Sequence, residues 1–118
     1  MNTREAIMGF SQGEKIKAGL IWASQVIQLL DGLPDGEKRF GSRAAGALVG
    51  MIGHEIMLAR NMCSDPAWEE MKKDLDRAKV MIDSGIPSEA VTHLTRALSR
   101  STDVAGRAMT SLKDEGLI

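Results

Sequence analysis

The stretch Ile16-Lys17-Ala18-Gly19-Leu20-Ile21-Trp22-Ala23-Ser24-Gln25-Val26-Ile27-Gln28-Leu29-Leu30-Asp31-Gly32-Leu33-Pro34 decides the fold class. Its apolar residues Ile16, Leu20, Ala23, Ile27 and Leu30 recur at steps of three and four. That is the period of one helix face, not the alternation of a strand. Trp22, Val26 and Leu29 widen the seam. Upstream, Ser11 and Glu14 form an S-x-x-E capping box, and the helix begins near Thr3 with Gly9 and Gly13 as weak points. Downstream, Asp31-Gly32-Leu33-Pro34 stops it. Glycine supplies a left-handed last residue, leucine folds back, and proline forbids continuation.

The rest of the chain repeats that grammar. There are only three prolines, Pro34, Pro66 and Pro87, and the apolar periodicity breaks at each. Proline is tolerated at a helix start because its missing N–H had no partner there. The spacing predicts helices over about 3–31, 37–62, 66–83 and 87–113, with no strands. Asp65 is a good N-cap for the third helix, whose narrow seam is Trp68, Met71, Leu75, Ala78 and Ile82. The fourth turns Ala90, Leu94, Ala97, Ser101, Val104, Ala108 and Leu112 inward. Short loops make consecutive helices antiparallel neighbours, so residues 1–118 read as one all-α, up-down four-helix bundle.

Composition agrees with that reading. The 118 residues are 43% apolar and 26% charged, close to a globular average. A net charge of −1 excludes a polycation that coats nucleic acid or an anionic membrane. A single cysteine, Cys63, forbids an internal disulfide and points to a reducing, cytoplasmic setting. Glu5 falls where the apolar part of a secretory signal would begin. The longest uncharged runs, Ala18 to Leu30 and Ala44 to Gly53, are shorter than the roughly 18 residues a membrane helix needs.

The junctions Leu29-Leu30-Asp31-Gly32-Leu33-Pro34 and Met81-Ile82-Asp83-Ser84-Gly85-Ile86-Pro87 look alike, either as a duplicated hairpin or as convergent helix–Gly–apolar–Pro turns. Met81, Gly85, Ala90, Leu94 and Ala97 stand at spacings that resemble one tetratricopeptide unit, without its terminal proline. No function is carried over from that likeness.

The second helix is unusual. From Ala44 to Gly53 no polar side chain interrupts it on any face, so it should be covered on every side. Ala44, Ala45, Leu48, Met51, Ile52, Ala59 and Met62 form its broad core arc. Opposite them Gly46, Gly50 and Gly53 align, continued by Met57. Each helical glycine costs about 1 kcal/mol against alanine, so three on one stripe imply a close backbone approach. The expectation is a non-enzymatic interaction module, a homodimer through Gly46, Gly50, Gly53 and Met57, or a groove for a partner helix. The alternative is close packing of the first helix on that stripe within one subunit.

Polar chemistry is sparse. Glu55 falls within the expected core arc, so it needs His93 or an arginine of the fourth helix as partner, unless a bend lets it reach water. Gly53-His54-Glu55-Ile56 resembles the start of the phospho-acceptor motif of histidine-kinase dimerisation domains. It departs at Met57, where that motif has a basic residue, and at Ala59, where it has proline. The resemblance implies a histidine phosphotransfer-like protein in which His54 accepts phosphate and Glu55 orients it. On the fourth helix His93, Arg96, Arg100 and Arg107 form a basic stripe suited to an anionic partner, with Asp103 placed to pair Arg100 and Arg107. No aromatics interleave for base stacking, so nucleic acid is not the expected partner. Glu89 and His93 lack the Glu-x-x-His spacing of bundle metal sites, and no nucleotide loop or nucleophile elbow occurs. Neither metal nor cofactor is expected.

Overall fold

The structure, a computed structural model, describes residues 1–118. Four helices, α1 (Thr3–Leu30), α2 (Asp35–Met62), α3 (Ala67–Asp83) and α4 (Pro87–Asp114), form an antiparallel bundle of 55 × 21 × 17 Å. Each helix packs on its neighbours in the chain, and α1 on α4 closes the ring with the most extensive contact. No helix is long and apolar enough to cross a membrane.

Local chemistry explains the ends, with two departures. Asn2, not Ser11, caps α1: its side chain accepts from the Glu5 N–H at 2.8 Å, and Glu5 reaches back to the Asn2 N–H. Ser11 sits in mid-helix. Gly32 does not take the left-handed backbone expected of it; only Gly85 (φ 80°) and Gly116 (φ 73°) do. At Gly85 the Ile86 N–H bonds to the Met81 carbonyl, the six-to-one closure of a Schellman turn, and Leu117 does the same to Leu112. The two similar-looking junctions therefore differ in backbone, which speaks for convergence rather than duplication.

The seams of α1, α3 and α4 are buried as the periodicity requires; most of them join Val49, Ile56 and Ala59 of α2 in one cluster of 19 residues, while Ala108 and Leu112 pack with Ala6 in a smaller one. Trp22, Val26 and Leu29, expected to widen the α1 seam, face outward instead. The phase of α2 also differs. Its buried arc is Ala45, Gly46, Val49, Ile52, Gly53, Ile56 and Ala59, whereas Ala44, Met51 and Met62 are exposed. The helix is rotated by about 90°, one residue's worth of angular step, from the expected phase. A helix with no polar face gives solvent nothing to select, so packing chose the side carrying the β-branched Val49, Ile52 and Ile56.

The one helical glycine whose added Cβ would meet the backbone of another helix is on α1. A Cβ on Gly13 would lie 3.2 Å from the Ala105 Cβ and 3.3 Å from the Ser101 carbonyl oxygen. One on Gly9 would lie 3.0 Å from the Cys63 Sγ and 3.6 Å from the Ala108 Cβ. These apparent weak points of α1 are the positions that let it lie against α4.

Helix α3 has 17 residues and the other three helices 28 each. It ends level with Gly46, so the first turns of α2 project past it.

Candidate functional site

The glycine stripe of α2 is largely covered from within. A Cβ on Gly46 would touch Ile82 and Asp83, and one on Gly53 would touch Lys72, all on α3. Both glycines are buried, and Met57 is half-buried. Only Gly50 opens onto free space. This corrects the expectation of a free face built from Gly46, Gly50, Gly53 and Met57. The covering helix is α3, not α1.

The uncovered flank of α2 is the opposite one, toward α1. Phe40 is 76% exposed, Met51 64% and Leu58 47%, with Ala44 and Ala47 between them. On α1, Trp22 is 65% exposed and Leu29 69%, with Val26 beside them. The register of the two helices is set by Gly19 against Ile52, by Gly41 against Leu30, and by an ion pair between Lys15 and Glu55 at 2.9 Å. In that register Trp22, Val26 and Leu29 lie along the same flank as Ala44, Ala47 and Met51, with Phe40 beyond Arg43 at one end and Leu58 beyond the Lys15–Glu55 pair at the other. No charged residue occurs between Lys17 and Asp31 or between Arg43 and Glu55. Two of the four aromatic side chains, Trp22 and Phe40, stand on it, while Trp68 is wholly buried and Phe10 packs on Ala6, Ala108 and Leu112. Soluble monomers seldom expose an apolar patch of this extent without using it.

His54 and Glu55 separate. Glu55 leaves the core with the rotation of α2 and pairs with Lys15, not with His93 or an arginine of α4. His54 is exposed, beside a small notch of about 180 Å³ that Gly50 and Gly53 share with Lys72, Asp76 and Lys79 of α3. Lys72 bonds to Asp76, and Lys79 has no carboxylate partner.

The basic stripe of α4 is tied down inside the subunit. Arg100 Nε donates to Asp74 Oδ2 at 2.8 Å, and Arg107 makes a two-pronged pair with Asp65 at 3.0 and 3.1 Å. Asp103, expected to bind both arginines, pairs with neither. Arg96 stays exposed, and His93 is half-buried with its Nδ1 unbonded. Asp74 is completely buried, with Arg77 as a second, longer partner at 3.5 Å. Sequence reading passed over Asp74, although it stands inside the α3 seam between Met71 and Ala78. A carboxylate in an apolar seam demands a cation from a neighbouring helix, and that was the available signal.

Cys63 is buried where α2 ends, and burial pushes its thiol above the ordinary range, reinforced by the Asp65 and Glu5 carboxylates. It is a protonated packing residue rather than a nucleophile. No three His, Cys, Asp or Glu side chains gather as a metal site.

Comparisons of the chain with protein-family models, with curated proteins and with solved structures gave no match.

Proposed function

We propose that the protein is a non-enzymatic interaction module that forms a homodimer through the outer face of α1 and α2. One observation carries the reading: Trp22, Leu29 and Met51 are exposed where neither helix carries a charge, with Phe40 exposed just past Arg43. Interface cores are enriched in aromatics and Met and depleted of charge, and large aromatics dominate their energetics. A second copy is the occupant favoured by charge. A two-fold contact lays the same patch on itself, so a face of one sign would repel its copy, and the middle of this face carries no charge to repel. A standard interface needs about 800 Å² per partner, which a flank of a 55 Å bundle can supply.

The test is mass in solution, by light scattering or sedimentation, for the native chain and for Trp22→Glu. A native dimer and a monomeric, fully helical variant support the reading. A native chain that is monomeric at about 0.1 mM, weaker than the micromolar range of specific pairs, overturns it. A dimer unmoved by Trp22→Glu but broken by Gly50→Leu would return the interface to the glycine flank.

A second reading is a histidine phosphotransfer-like protein using His54. It is favoured by the notch beside His54, where two glycines leave the imidazole unobstructed and Lys72 and Lys79 stand close by to neutralise a phosphoryl group. Glu55, held by Lys15, would orient the helix rather than the imidazole. Acid-labile phosphate after exposure to phosphorylated receiver domains, lost in His54→Gln, supports it. No labelling of the native chain by such donors removes it.

A further inference from the structure

With Arg100 held by Asp74 of α3 and Arg107 by Asp65 in the loop before it, Arg39 and Arg43 on the overhanging start of α2 form a pair of cations without carboxylate partners. Because α3 stops level with Gly46, the side of α2 that faces α3 lower down is open there. The result is a cleft of about 620 Å³, within the roughly 300–1,000 Å³ range of small-molecule sites. Its apolar lining is Leu30, Ile82 and Ile86, of which only Ile86 is substantially exposed. Its wall carries Lys38, Arg39 and Arg43, spaced by the helix so that Arg39 and Arg43 stand one turn apart. Neither guanidinium has a carboxylate within ion-pair distance, although Asp31 and Asp83 line the same cleft. Ser42 and Ser88 add hydroxyls on facing helices, α2 and α4.

We infer that this cleft binds a small phosphate monoester with an apolar body, the phosphate held by Arg39 and Arg43 and the body resting on Ile86. Two unpaired guanidiniums a turn apart offer two-pronged bonds to a tetrahedral oxyanion, which a lysine cannot make. The size of the site and its two free guanidiniums, with Lys38 already paired to Asp35, select one small anion over a polyanion. The first turn of α4 opens toward the same space, and its partial positive charge adds to the guanidiniums.

The test is a titration of the full chain with phenyl phosphate, and with inorganic phosphate alone, followed by amide NMR shifts. Saturable shifts at Ser42, Ser88 and Glu89 with a Kd on the order of 1 mM or tighter are expected, with phosphate alone weaker by about tenfold. Arg39→Gln with Arg43→Gln should weaken phenyl phosphate binding by about tenfold or more while leaving the helical circular dichroism unchanged, since both side chains are exposed. Absence of saturable shifts, shifts confined to other faces, or binding that survives the double substitution overturns the inference. Equal affinity for benzoate and phenyl phosphate would overturn the assignment of a phosphate head.

Discussion

Ser101 donates its buried hydroxyl to the Gly13 carbonyl oxygen at 2.6 Å, joining α4 to the middle of α1. A serine within an apolar seam needs an acceptor; Thr102 and Thr110 turn back to carbonyls of α4 itself, whereas Ser101 reaches across to α1. The bond forms only because Gly13 lacks a side chain and lets the two backbones approach. One glycine thus sets both the spacing of the largest helix interface and the satisfaction of a buried polar group.

Gly13→Val should therefore lower stability by about 1–3 kcal/mol, because the new side chain meets α4 backbone rather than a movable side chain. Gly106→Ala, in mid-helix of α4 with nothing near its added Cβ, should raise it by up to about 1 kcal/mol. Urea unfolding of both variants checks the contrast, and a stabilised Gly13→Val would contradict the close approach.

The buried carboxylate of Asp74 should be the most sensitive polar position. Arg100→Met removes its nearer partner and leaves a charge in the core with Arg77 alone, costing about 3 kcal/mol even after allowance for the solvent that reaches Arg100. Arg77→Ala, at a half-exposed side chain and a longer distance, should cost no more than about 1 kcal/mol. Equal losses from the two would show that the ranking by geometry is mistaken.

Self-association through an uncharged face should ignore salt. The dimer constant is expected to stay within a factor of about three between roughly 0.05 and 0.5 M sodium chloride, since screening acts on charges that the middle of this face lacks. Met51→Glu should weaken it as Trp22→Glu does. Dissociation steeply dependent on salt, measured by sedimentation, would place the contact on a charged face instead.

Cys63 gives the pH prediction. Burial raises its thiol in the folded chain, so the folded state holds that proton to higher pH than the unfolded one. The contribution to stability is fully present below the unfolded thiol value, about 8.5, and is lost as pH rises through the higher folded value. Thermal melts of the native chain should fall over that alkaline window more than those of Cys63→Ala. Iodoacetamide should label Cys63 slowly in the native chain and quickly in urea; fast native labelling would contradict its burial.

Three of the helices were legible because their faces differ. In α3 and α4 charged residues crowd the outside, so the seams Trp68 to Ile82 and Ala90 to Leu112 read directly from spacing, as did Ile16 to Leu30 in α1. The outward turn of Trp22 and Leu29 did not read, since nothing in their chemistry separates them from Leu20 or Ile27. The same was true of α2, where Met51 and Ile52 are equally apolar and only one is buried.

Patterns of polarity and turn residues were enough to specify an all-helical chain of four segments and its breaks at Pro34, Pro66 and Pro87, because solvent rewards a polar face wherever one exists. Packing alone settled which flank of α2 lies against α3, which arginines of α4 meet Asp65 and Asp74, and where the aromatic face and the cleft lie. Those outcomes depend on distances between helices far apart in the chain, and a cylinder without polar residues carries no local mark of which way it will turn.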